Sequence, residues 1–158
     1  MRLIATIEGE PIIEMDDLSL LFRAKAAIDG DGSGEERKGD TFEPDTSLHF
    51  DGKALNSDVD KYVVVPPAII EGVAGVVLGC QARLANTLKD GWANPVSAVV
   101  GDIGPHHKLG EVSIACAEAL GIPSSPTTGG EERHVIEYRI YPGVAAEVDG
   151  KLYTLQPA

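Results

Sequence analysis

The chain has 158 residues, of which 43% are apolar and 24% charged, and a formal net charge of −12. That is the length and composition of one globular domain with a core of its own. The negative excess argues against a nucleic-acid partner, whose phosphates it would repel, and leans toward solubility or a cationic ligand.

The elements read in chain order as a series of short strands. Residues 2–7, RLIATI, form a strand closed by Glu8-Gly9. The N-terminus has no basic stretch leading into an apolar core, so the sequence predicts no signal peptide. No run reaches membrane-spanning length, so a soluble chain is expected. Residues 18–28 read as a strand running into Gly-rich turns. Residues 29–46, DGDGSGEERKGDTFEPDT, form a long polar loop. Residues 61–65 make a buried strand stopped by Pro66-Pro67. Residues 73–84, VAGVVLGCQARL, suggest a strand with Gly75 and Gly79 as bends or bulges. Residues 96–100, VSAVV, are a further strand. Residues 113–120, SIACAEAL, are a two-turn helix with Ser113 as N-cap and Gly121 as its stop. Residues 134–141, HVIEYRIY, alternate with period two and predict a half-buried strand. Residues 144–155 carry a Val-Asp-Gly-Lys hairpin signal. These elements predict a single all-β domain over 1–158: a barrel with one short helix, or alternatively a β-sandwich. Cys80 and Cys116 have neither CxxC nor metal spacing, and read as buried free thiols.

The chemistry concentrates in 97-SAVVGDIGPHHKLGEVSIACAEALGI-122. Asp102 ends a buried strand, and Glu111 stands just before a helix. Both anchor points are rigid, so the loop between them holds two carboxyls at a fixed separation. Two such carboxyls are what glycosidic cleavage requires. One protonates the leaving oxygen; the other attacks, at a separation of about 5–5.5 Å, or activates water, at about 6.5–9.5 Å. The alternative is that Asp102 caps a turn and Glu111 is ordinary surface charge.

Other polar residues admit two readings each. Asp29, Asp31, Ser33 and Gly34 imitate the start of a calcium-binding helix–loop–helix. Glu36 stands where that loop needs an apolar residue, and Asp40 where it needs a bidentate Glu, so no metal is expected. His106 and His107 lie in the 102–111 loop; they contact substrate or are exposed, with no third ligand at a telling spacing. Trp92, the only tryptophan, either stacks on a sugar ring or plugs the end of the barrel.

The full string resembles glycoside hydrolase family 75, the endo-chitosanases. The residues that carry the likeness are Ala98-Val99-Val100-Gly101-Asp102-Ile103-Gly104-Pro105, Lys108, Gly110-Glu111, Ser113, Ala115 and Ala119-Leu120-Gly121-Ile122. Upstream, Lys25 to Ser33, Thr46-Ser47, Leu55-Asn56 and Tyr62 to Pro66 follow in the family's order. Downstream, Gly129-Gly130 and Tyr138 to Gly143 do so too, which extends the resemblance over about residues 22–145. It implies inverting endo-hydrolysis of β-1,4 bonds in chitosan, with Asp102 and Glu111 as the catalytic pair. The motif is also similar to that of double-psi β-barrel proteins, which implies a double-psi-like barrel with Glu111 as proton donor and Asp102 as base.

On the same resemblance, Asp29 and Asp31 line the cleft and hold glucosamine ammonium groups; Lys108 of the motif, with His106 and Trp92 on the first of the two readings given above for each, are the further candidate substrate contacts. No cofactor is implied, and the expected partner is a cationic polysaccharide. The alternatives are a peptidoglycan hydrolase, or a non-catalytic glycan- or cell-wall-binding barrel such as a phage particle component.

Overall fold

The computed structural model describes residues 1–33, 44–106 and 108–157. Strands β1 (Arg2–Ile7), β2 (Glu10–Glu14) and β3 (Leu20–Asp29) open the chain. After the loop come β4 (His49–Phe50), β5 (Lys53–Ala54), β6 (Tyr62–Val65), helix α1 (Pro67–Gly72) and β7 (Cys80–Asn86). A single 3₁₀ turn, Gly91–Ala93, leads to β8 (Val96–Ile103), β9 (Glu111–Ser113) and helix α2 (Ile114–Leu120). The chain finishes with β10 (Glu131–Ala145) and the small hairpin of β11 (Glu147–Val148) and β12 (Lys151–Leu152).

Six strands close a barrel in the order β3-β10-β7-β8-β6-β9, and β9 pairs back onto β3. The β3–β9 and β6–β8 pairs are parallel; the other four are antiparallel. Closure leaves these six strands without an open edge. The expected barrel is therefore the fold, and the sandwich is not. Among the described residues no helix is long and apolar enough to cross a membrane.

The interior follows from period-two alternation. Leu20, Phe22, Ala24 and Ala26 of β3 face the core, together with Val63, Val65, Ala98, Val100, Val112, Ile136, Tyr138 and Ile140. The rings of Phe22 and Tyr138 stack inside at 5.0 Å. A second apolar cluster lies on the opposite face of β6 and β8. It joins Tyr62, Val64 and Val99 to Leu48, Leu55, Val148 and Tyr153. The intervening loops thus pack onto the barrel's flank.

Several elements match their expected positions. Helix α2 begins at Ser113, whose hydroxyl accepts from Cys116 N at 3.2 Å, and ends at Gly121. The β11–β12 hairpin turns at Asp149-Gly150. Both cysteines are free and buried, and burial pushes the Cys116 thiol up to about 12.

Two elements differ. Residues 10–14 form β2, which pairs with β1 through a tight turn at Glu8-Gly9. Pro11 disguises the strand, yet it lies outside the Ile13↔Leu21 and Glu14↔Leu20 pairing with β3, so its missing N–H is tolerated there. The strand expected from residue 73 starts only at Cys80. Pro67 opens α1, where its fixed φ suits the first helical turn, and the chain then turns twice before β7.

Candidate active site

Backbone register places Asp102 and Glu111 on either side of one residue. Val64 of β6 pairs with Asp102 of β8 on one flank and with Glu111 of β9 on the other. Ala27 of β3 then pairs with Glu111, so Ala27, Glu111, Val64 and Asp102 form one lateral row across four strands. Val64 belongs to the flank cluster and not to the main core, which puts the row on the barrel's flank. Two strand steps separate the two acids, about 10 Å between their Cα atoms at most.

A bulge is what turns Asp102 to this side. Val63 pairs with Val100, but Val64 pairs with Asp102, so Gly101 is the extra residue. Without it, strict alternation would point Asp102 into the apolar core. The bulged position must be glycine: a Cβ there would stand 2.7 Å from Leu55 Cδ1 and 2.8 Å from Tyr62 Cβ.

Asp102 is 6% exposed, and its Oδ1 accepts three hydrogen bonds. They come from Ser47 N at 3.1 Å, Ser47 Oγ at 2.7 Å and Ile103 N at 3.0 Å. Glu111 has a different partner: its carboxylate lies 3.1 Å from Lys108 Nζ. It is anchored from behind, because Gly110 O accepts from Ala27 N at 2.9 Å.

The end of β3 delivers a third and a fourth carboxyl. Ala27 and Asp29 share the face that carries Glu111. Asp29 is 7% exposed, and its Oδ1 accepts from Asp31 N at 2.8 Å, a local turn that folds Asp31 back beside it. Carboxylate oxygens of Asp29, Asp31 and Asp102 come within 4.8 Å of one another. Like charges this close, half out of water, require a proton or a cation between them.

The Asp29 carboxyl is pushed up to about 8. Burial is the largest cause; the neighbouring charges of Asp31, Glu111 and Asp102 add to it, and the Asp31 N–H works against it. Below that pH Asp29 is neutral in the ligand-free site. Asp31 is half-buried beside it.

Hydroxyl groups brace the floor. Ser57 Oγ donates to Asp29 O and accepts from Ile114 N, tying β3 to the start of α2. Tyr62 is fully buried, and its hydroxyl donates to Asp31 O at 2.9 Å. Burial first, then the charge of Asp29, raises the Tyr62 phenol well above its ordinary value. Ser47, Ser57 and Tyr62 escaped the sequence reading as site residues. Ser47 lay within the resembling segments, but nothing local shows that its hydroxyl meets a carboxylate 55 positions away.

The structure thus brings together Asp29, Asp31, Asp102, Glu111 and Lys108. His106 is exposed on the loop between β8 and β9, and His107 lies outside the described residues. The later positions of the calcium-like loop, from Gly34 to Asp40, also lie outside them. Trp92 stands apart. Its indole Nε1 donates to Glu137 Oε1 at 2.7 Å, and Glu137 pairs with Arg23. Arg23 is six residues before Asp29 on β3, about 20 Å along the strand.

The class these observations define is a closed six-stranded β-barrel with a buried multi-carboxyl cluster on its flank. No family model matches the chain, and no curated protein matches it.

Proposed function

We propose that the protein is a glycoside hydrolase that cleaves β-1,4 bonds within a chitosan-like polysaccharide by inversion. Asp102 and Glu111 are the reacting carboxyls. The observation that carries this reading is their placement on either side of Val64 in one row. Two strand steps set their backbones at most about 10 Å apart, a span that accommodates the carboxyl separation of about 6.5–9.5 Å that leaves room for a water. A retaining pair would sit closer.

The substrate class rests on charge. The chain carries −12, and the site adds a cluster of acids at its centre. An acidic cleft concentrates a cationic polymer and repels an anionic one. The barrel framework supplies rigidity, since each carboxyl is fixed by strand pairing and by Ser47 or Lys108.

The test is reducing-end release from soluble chitosan at pH 5–6, comparing wild type with Asp102→Asn and Glu111→Gln. Each substitution is expected to lower turnover at least a hundredfold, with folding retained by circular dichroism. Near wild-type turnover in either variant would remove that residue from the reaction.

A further inference from the structure

We propose that Asp29 and Asp102 work as one unit, with Asp29 holding the resting proton that Asp102 passes to the glycosidic oxygen. Asp29 is then a positioning residue, acting through Asp102, and Glu111 is the base. The inference rests on the hydrolase reading for its chemistry, but the place of the proton is argued independently of it.

The geometry separates the carboxyls by surroundings. Asp29 and Asp102 are 7% and 6% exposed, and their oxygens approach within 4.8 Å. Among the described residues, the groups that bear on Asp29 include Asp31 beside it, Glu111 from β9, Asp102 from β8 and the Tyr62 phenol from β6. The three acids all push in the same direction, toward a protonated Asp29, and the phenol stays neutral. Lys25, on the same face of β3, is engaged with Glu8 at 3.1 Å.

Asp102 is built differently. Ser47 N, Ser47 Oγ and Ile103 N all donate to Oδ1, which leaves Oδ2 to exchange a proton. Glu111 faces Lys108 at 3.1 Å, on the far side of Val64 from Asp102, where it is placed to take the proton of the attacking water. This is the reverse of the order that the resemblance implies.

The step balances as follows. The proton held on Asp29 moves to Asp102, which gives it to the glycosidic oxygen as the C1–O bond breaks, and that bond's electron pair stays on the oxygen. Water attacks C1 from the opposite side and loses its proton to Glu111. Glu111 then releases its proton to solvent, and Asp29 takes one up, which restores the starting state.

The experiment is a carbon-13 titration of the aspartate carboxyl signals, run on wild type and Asp29→Asn, beside pH profiles of kcat/KM on soluble chitosan. One aspartate is expected to stay protonated through pH 6, titrate near pH 8 and vanish from the Asp29→Asn spectrum. The same variant is expected to lose at least tenfold in kcat at pH 6 with KM within twofold, and Asp29→Glu to recover the alkaline limb. Dispersed spectra in both variants show that they fold.

Titration of every aspartate below pH 5 overturns the proposal, as does displacement of the high signal by 1 mM calcium or magnesium. An alkaline limb unmoved in Asp29→Asn overturns the relay. A high-titrating signal in a wild type that releases no reducing ends overturns the hydrolase reading and, with it, the relay, but leaves the proton on Asp29.

Discussion

Asp29 illustrates how a single buried carboxyl can weaken the fold that holds it. Its carboxyl is raised from 3.8 to about 8 in the folded protein. Between those values the folded state binds a proton that the unfolded chain has released, so stability falls as pH rises through the window. Above about pH 8 a buried charge faces other carboxylates, with a penalty on the order of several kcal/mol. Asp29→Asn keeps the shape and removes the charge. Thermal melts are expected to show the variant more stable than wild type, by a larger margin at pH 8 than at pH 5. An equal margin at both would mean that Asp29 is not the titrating group. Stability gained where activity is lost is the usual trade at such sites.

At the scale of the element, the parallel contact between β3 and β9 sets the position of Glu111. β9 is only three residues long and is entered through Gly110 at φ 90. A Cβ there would stand 2.1 Å from Lys25 O, a backbone atom that has no room to retreat. Gly110→Ala is therefore expected to destabilise the protein by about 2–4 kcal/mol, from backbone strain and the clash together. Chemical denaturation checks this, and turnover should fall further than the loss of folded protein explains, because Glu111 moves with the strand. Ser113 carries the same junction onward. Its hydroxyl donates to Asp60 O at 2.8 Å and accepts from Tyr62 N at 3.0 Å, so one side chain ties β9, β6 and α2 together.

Across the whole molecule, charge decides what approaches the barrel. With −12 overall, association with a cationic polymer gains from long-range attraction that salt removes. Binding of soluble chitosan to the Glu111→Gln protein is expected to weaken at least tenfold between roughly 0.05 and 0.5 M salt, as the Debye length contracts. Calorimetry at several salt concentrations measures it, and a neutral glycan of equal length should show no such slope. Binding that ignores salt would remove the electrostatic argument for the substrate class.

The strands were legible because alternation and turn residues are local signals. HVIEYRIY carries period two, RLIATI is closed by Glu8-Gly9, and Ser113 with Gly121 frames α2 by capping chemistry that acts within one turn. Asp102 and Glu111 stand out as candidates because both lie in one short stretch, and the register of β6 sets them on either side of Val64. What tertiary structure decided is which carboxyls meet and in what state. The bulge at Gly101 shows itself only when β8 is paired with β6, and it determines the face to which Asp102 turns. Asp29 is 73 positions away from Asp102 in the chain. Only closure of the barrel brings them within 4.8 Å and strips both of water. A proton's position depends on burial and on neighbouring charge, and both are properties of the assembled fold, not of the order of residues.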